Sequence, residues 1–142
     1  MEHLGQHVII ELWGCNEGIN DADLVRTAML EAVQAANATL LDLNVHTFSP
    51  HGVTGVAVLS ESHLSVHTWP EYGYMAADVF TCGDTTKPAA AAEVLRRYFE
   101  PEEFDVQELT RGIMTRERRK MIRRKSSATK NHRDALEEPA LA

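Results

Sequence analysis

Two segments of the sequence follow the same pattern, and this repeat limits the possible folds more than any other feature. The segments 8–15 and 76–82 are apolar runs that each carry one acidic residue and end at a cysteine. Each leads through an acidic loop to a segment with helical spacing and then to another apolar run. The repeat predicts two β-α-β halves that share a mostly antiparallel sheet, with both helices on one face. The predicted class is therefore α/β (α+β), a two-layer sandwich whose second sheet face meets another subunit or water.

Six strands and two helices account for the apolar patterns and the turn residues between them. The predicted strands cover 7–14, 40–48, 53–59, 64–68, 74–81 and 104–109. The first helix follows a capping Asn20 or Asp21 and continues to about Ala36. The second helix covers 87–98 and has Pro88 in its first turn, where a missing N–H does no harm.

Charge divides the chain near residue 110. Residues 1–110 hold 17 acidic and 4 basic residues, a net charge of −13, whereas residues 111–142 hold 4 acidic and 10 basic residues, a net charge of +6. An acidic body favours cationic small molecules over nucleic acid, so no nucleic-acid partner is expected. The predicted domains are a folded domain, 1–114, and a basic tail, 115–142. The composition of the tail predicts disorder, and the alternative is a short basic helix within 115–125 that contacts the acidic body or an unknown anionic partner.

The predicted location of the protein is the cytoplasm. The first residues show no signal-peptide pattern, and no apolar run reaches membrane-spanning length. Cys15 and Cys82 are then expected to be free thiols, because disulfides are rare in a reducing compartment.

The stretch 59–74 holds the densest set of reactive side chains. A metal site on His63 and His67 is not expected, because residues four apart on a strand lie about 13 Å apart. The sequence also has no CxxC or HExxH motif. A hydrolase built on Ser62 and His67 would lack both a nucleophile elbow and an evident orienting acid.

A third hypothesis directs Ser62 at its own backbone. The hydroxyl can attack the carbonyl of Glu61 and convert the amide to an ester. A base such as His67 can then remove the Cα proton of residue 62 and expel the ester, which leads to a pyruvoyl group at a new N-terminus. The residues alone leave this hypothesis as one among several.

Longer motifs separate the hypotheses. The stretch 59–74, followed by Asp78-Val-Phe-Thr-Cys-Gly-Asp84, closely resembles the short bacterial and archaeal S-adenosylmethionine decarboxylases. These are pyruvoyl-dependent, self-processing lyases of spermidine synthesis. The resemblance extends to 4–7 and 50–56 and covers roughly residues 3–112, so the basic tail lies outside it.

The resemblance implies a zymogen that cuts itself between Glu61 and Ser62 into fragments 1–61 and 62–142. Ser62 becomes the pyruvoyl group, a covalent cofactor that forms a Schiff base with the substrate. By the same resemblance His67 is the proton acceptor in processing, and Cys82 is the proton donor in decarboxylation. No metal is implied.

The resemblance also assigns the substrate contacts. Phe48 stacks on adenine, and Glu71 binds the ribose hydroxyls. Thr54 takes the place of a processing hydroxyl that is often a serine in the family, and its extra methyl stiffens the rotamer. The family forms homodimers of processed protomers with active sites at the subunit interface, where His67 and Glu71 would serve the neighbouring subunit's Ser62.

The implied reaction converts S-adenosyl-L-methionine to S-adenosyl 3-(methylsulfanyl)propylamine and CO₂. One alternative is a pyruvoyl-dependent ornithine or arginine decarboxylase on the same scaffold. Phe48 and Glu71 favour a nucleoside over a bare amino acid. A second alternative is a homologue that binds ligand without processing, which the presence of Ser62, His67 and Cys82 disfavours.

Overall fold

The computed structural model describes the backbone of residues 2–137 and the side chains of residues 2–129. The strands are β1 (His3–Trp13), β2 (Thr39–Thr47), β3 (Val53–Ser60), β4 (Ser62–Trp69), β5 (Tyr74–Cys82) and β6 (Glu103–Ile113). The helices are α1 (Ala22–Ala35), α2 (Pro88–Phe99) and α3 (Arg116–Glu137), with short 3₁₀ turns at Glu17–Asn20 and Pro70–Tyr72. Within this part of the chain, no helix is long and apolar enough to cross a membrane.

The six strands form one sheet in the order β2-β3-β4-β5-β1-β6, and all neighbouring strands are antiparallel. Helix α1 connects β1 to β2, and α2 connects β5 to β6 across β1. Both connections join strands that run in the same direction. The two predicted β-α-β halves are thus confirmed.

Helices α1 and α2 pack against each other and against the same face of the sheet. Asp21 caps α1 by accepting hydrogen bonds from the backbone N–H groups of Asp23 and Leu24 at 3.0 and 3.2 Å. Helix α2 begins at Pro88 and ends before Glu100, whose φ of 47° is left-handed. The core between the helices and the sheet contains, among others, Val8, Ile10, Leu12, Val25, Met29, Leu64, Val66, Met75, Val79, Leu95 and Phe99.

The second face of the sheet carries no helix. Because side chains alternate along a strand, this open face presents the residues between the core positions. Large apolar side chains on it are partly exposed: Trp13, Val56, Val58, Trp69 and Leu109. The two-layer sandwich with helices on one face is as the repeat predicted.

The structure differs from the prediction at the C-terminal segment. Composition predicted disorder for the tail 115–142, whereas Arg116–Glu137 forms helix α3. The short-helix alternative for 115–125 was closer, but it stopped too early. Arginine, lysine and methionine are good helix formers, and neither glycine nor proline interrupts the sequence from 116 to 137. Residues 138–142 of the predicted tail lie outside the described residues.

Candidate active site

The predicted cleavage bond lies in a tight turn between two neighbouring strands. Leu59 of β3 pairs with Ser62 of β4, so the turn consists of Ser60, the last residue of β3, and Glu61. The Glu61 side chain is exposed, and Ser62 is partly buried. The Glu61–Ser62 bond is therefore at the surface while both flanking strands are held in the sheet.

The backbone of Ser62 is in a conformation that L residues rarely adopt. Its φ is +114°. Asn37 and Glu100 also have positive φ among the described residues other than glycine, but their values of 55° and 47° belong to the left-handed helical region that ends helices. A β-carbon-bearing residue at +114° is strained. Strain at this position is what the self-cleavage hypothesis requires.

Cys82 lies beside the cleavage turn. Ser62 pairs across the sheet with Thr81 of β5, and Cys82 is the next residue on that strand. Cys82 is a free thiol and is partly buried. Glu61, Ser62 and Cys82 thus form one group at one end of β4 and β5, which we call the cleavage group.

The other predicted site residues meet at the opposite end of the same strands. Thr54 and His67 are cross-strand partners, and Thr54 Oγ1 lies 3.3 Å from His67 Nδ1. The turn between β2 and β3 is closed by a 2.8 Å bond from the Phe48 N–H to a backbone carbonyl. His51 Nε2 in this turn contacts the carboxylate of Glu71. Phe48, Thr54, His67 and Glu71 form a second group, which we call the base group.

The two groups are too far apart to act on each other within one chain. Ser62 and His67 are five residues apart on β4, which at the rise of an extended strand separates them by about 17 Å. Proton transfer requires contact at hydrogen-bond distance or through one water. The structure therefore brings the predicted residues together in two groups and does not unite the groups.

A polar cluster that sequence reasoning missed lies on the open face between the groups. Asp78 Oδ2 accepts hydrogen bonds from His7 Nε2 at 2.7 Å and His63 Nε2 at 2.8 Å, and Ser65 donates to the other oxygen. Burial alone would raise the pKa of Asp78, but these hydrogen bonds and the charge of His63 outweigh it and hold the pKa below its usual value. The signal in the sequence was a single acidic residue inside an apolar strand, which needs partners.

This cluster also has the residue types of a metal site. The ligand atoms of His7, His63 and Asp78 lie within 4.8 Å of one another. However, Arg111 Nη1 lies 3.3 Å from His7 Nδ1. A guanidinium can only donate, so Nδ1 must accept and the proton of His7 sits on Nε2, which donates it to Asp78. A metal on Nε2 would require the ring proton on Nδ1, where it would face the Arg111 donor. The cluster is therefore better described as a hydrogen-bond network.

Comparison with known proteins assigns the chain to a family. The sequence profile of the S-adenosylmethionine decarboxylases matches residues 6–112. The chain is 54% identical to the S-adenosylmethionine decarboxylase proenzyme of Thermomicrobium roseum over 115 residues, which cover 80% of this chain and 98% of that protein. It is 50% identical to the proenzyme of Methanococcus maripaludis over 115 residues, with 80% and 94% covered. This protein belongs to the S-adenosylmethionine decarboxylase family.

A solved structure extends the similarity to the fold. The adenosylmethionine decarboxylase of Aquifex aeolicus superposes with a TM-score of 0.76 at 37% identity, covering 82% of this chain and 97% of that one. The resemblance predicted from the motifs is confirmed. Both groups and the polar cluster lie within the part that matches the decarboxylase family, whereas helix α3 lies beyond it.

Proposed function

We propose that the protein is a self-processing decarboxylase that converts S-adenosyl-L-methionine to S-adenosyl 3-(methylsulfanyl)propylamine and CO₂ for spermidine synthesis. Domain 1–114 would carry this activity. Family membership supports the reaction. The strained Ser62 at an exposed turn is the single observation that carries the self-processing step.

Processing would begin at that turn. The Ser62 hydroxyl attacks the Glu61 carbonyl carbon, so a C–O bond forms and the peptide C–N bond breaks, which leaves an ester and a free amine. A base then takes the Cα proton of residue 62, and the carboxylate of Glu61 leaves. Hydrolysis of the resulting dehydroalanine consumes water, releases ammonia and leaves a pyruvoyl group at residue 62. Thr54 supports His67 as the base by fixing the imidazole orientation.

The cleavage group fits a pyruvoyl group at residue 62. When formed, this group supplies an electrophilic carbonyl that serves as an electron sink for loss of CO₂. Cys82, next to the cross-strand partner of Ser62, would donate the proton that replaces the lost carboxylate. The acidic body, at −13 over residues 1–110, attracts the cationic sulfonium of the substrate.

The two fragments would remain together after the cut. Fragment 1–61 contributes β1, β2 and β3, and fragment 62–142 contributes β4, β5 and β6. In the sheet β1 lies between β5 and β6, and β3 pairs with β4. Each fragment would therefore keep only one strand pair, β2–β3 or β4–β5, and separation would break the other three ladders of the sheet.

The active enzyme is proposed to be a homodimer of processed protomers. The separation of Ser62 from His67 means that a base on the same strand cannot reach its target. A second copy that packs on the open face in the opposite direction would bring its base group to the first copy's cleavage group. The exposed Trp13 and Trp69 of that face supply apolar surface for such a contact.

The substrate-binding roles are proposed for Phe48 and Glu71. Phe48 is half exposed, so its ring is available to stack on adenine. Glu71 is positioned by His51 and would accept hydrogen bonds from the ribose hydroxyls. The proposed compartment is the cytoplasm, where free Cys15 and Cys82 would stay reduced.

Turnover of three carboxyl-labelled substrates tests the reaction. The processed protein should release labelled CO₂ from S-adenosylmethionine and not from ornithine or arginine, and the Ser62→Ala variant should release none. Release from ornithine or arginine alone would overturn the substrate assignment. Release by Ser62→Ala would overturn the role of residue 62.

A further inference from the structure

Helix α3 is an addition to the domain that the family shares. The match to the family ends at residue 112, and the helix begins at Arg116. The Thermomicrobium relative is covered over 98% of its length by 115 residues of this chain. That relative therefore has too little additional chain for a counterpart of α3, and the helix calls for a separate explanation.

The first part of α3 is strongly basic and exposed. Residues 116–125 contain seven basic residues and one acidic residue, and each described side chain of the helix, from 116 to 129, is exposed. Among the described side chains, one ion pair involves the helix, between Arg119 and Glu2. The helix thus does not fold onto the acidic body.

Helical spacing gathers five of these cations on one side. Positions i, i+3, i+4, i+7 and i+8 share a face of an α-helix. We name this face the basic stripe, and its members are Arg116, Arg119, Lys120, Arg123 and Arg124. Repulsion between like charges at i and i+4 destabilises an isolated helix. A helix whose described side chains form one ion pair with the body, Arg119 with Glu2, has little else to stabilise it. A polyanion along the stripe would remove both deficits.

The opposite side of the helix argues against insertion into a lipid membrane. Among the described side chains of the helix, Met121 and Ile122 are the large apolar residues there, and both are half exposed. Arg118 and Lys125 project between them by helical spacing. An interfacial helix needs a continuous apolar face, which this arrangement interrupts.

The acidic body gave no expectation of a nucleic-acid partner, but helix α3 carries the opposite charge. We propose that the basic stripe binds the phosphate backbone of a nucleic acid. The stripe spans about 12 Å of helix axis, and a duplex presents one negative charge per about 1.7 Å of its own axis. Four of the five stripe residues are arginines, whose forked donors match phosphate oxygens. The acidic body repels phosphate, so it confines the contact to the helix. Contacts to phosphate alone carry no base-sequence information, so the binding should be independent of sequence.

Binding of the full chain to a labelled 20-base-pair duplex, measured by fluorescence anisotropy across a salt series, tests the proposal. The variant Arg116→Gln/Lys120→Gln/Arg124→Gln removes three stripe charges. It should bind at least tenfold more weakly at low salt, and the slope of log K against log salt should fall by about 3, near 0.9 per lost phosphate contact. Its decarboxylase activity should be unchanged.

A control variant with the same change in net charge separates the stripe from overall charge. Arg26→Gln/Lys87→Gln/Arg96→Gln removes three cations from the body and should keep the affinity and slope of the parent. The variant Arg116→Lys/Arg124→Lys keeps the positive charges of the stripe and should also bind the duplex. Binding by this variant would show that substitution at these positions does not abolish binding through misfolding.

Three outcomes would overturn the proposal. The first is equal affinity and slope for the stripe variant and the parent. The second is binding of the parent to vesicles rich in phosphatidylserine but not to the duplex. The third is a parent that does not bind the duplex but self-associates at low salt, as measured by sedimentation, when the stripe variant does not self-associate.

Discussion

Two inactive variants should restore processing to each other if one site is shared between two chains. Ser62→Ala removes the hydroxyl that attacks the backbone, and His67→Ala removes the proposed base. Each variant alone should remain a single intact chain. The distance of about 17 Å along β4 prevents a His67 from serving the Ser62 of its own chain, so co-expression can create working sites only between unlike chains.

The expected yield follows from counting sites. With equal expression and random pairing, about half of the dimers contain one chain of each kind. In such a dimer one site combines the Ser62 of the His67→Ala chain with the His67 of the Ser62→Ala chain, and the other site lacks both. About half of the His67→Ala chains, or about a quarter of all chains, should therefore be cut.

Different affinity tags on the two chains allow mass spectrometry to identify which chain is cleaved. Only the His67→Ala chain should appear as fragments. A matched control co-expresses it with the double variant Ser62→Ala/His67→Ala and should yield no fragments. Absence of cleavage in the mixed sample would refute the shared site, and cleavage of His67→Ala expressed alone would refute His67 as the base.

Three further substitutions probe single contacts. Thr54→Val removes the hydroxyl beside His67 and should slow processing by about two- to tenfold, the worth of one hydrogen bond, in a time course of fragment appearance, whereas Thr54→Ser should process at least as fast as the parent. Cys82→Ala should process normally but lower kcat by about 10²–10⁴, as expected for loss of a general acid, and normal turnover would remove Cys82 as the donor. Asp78→Asn should lower the free energy of unfolding by about 1–3 kcal/mol at pH 7. The pKa of Asp78 is held below its usual value of 3.8. The stability difference between parent and variant should therefore be present above pH 3.8 and shrink as the pH falls below it. Denaturant unfolding at pH 7 and pH 3 measures this difference, and an equal difference at both pH values would contradict the network.

The layout of the fold could be predicted because local patterns decide it. Alternation of apolar residues, the cap at Asp21 and the proline in the first turn of α2 predicted every strand and both core helices within a few residues of their ends. The ends of β1, β4 and β6 extend beyond the apolar runs because neighbouring strands continue to pair with polar residues there. Helix α3 was predicted only as a short alternative within 115–125, because a strongly charged composition favours disorder over a helix.

The candidate site was less accessible to sequence reasoning. The motif places Ser62 and His67 only five residues apart in the chain, but an extended strand sets them toward opposite ends of β4. The network of His7, His63 and Asp78 depends on the cross-strand register of β1, β4 and β5. Register comes from pairing over the whole sheet, which a pattern within one segment does not contain.

The mass of the purified protein tests the central claim most directly. Mass spectrometry after prolonged incubation should show two fragments that divide between Glu61 and Ser62. The C-terminal fragment should carry a pyruvoyl group in place of Ser62 and resist Edman degradation, because it has no free amine. A single intact chain, or a cut at any other bond, would contradict the account.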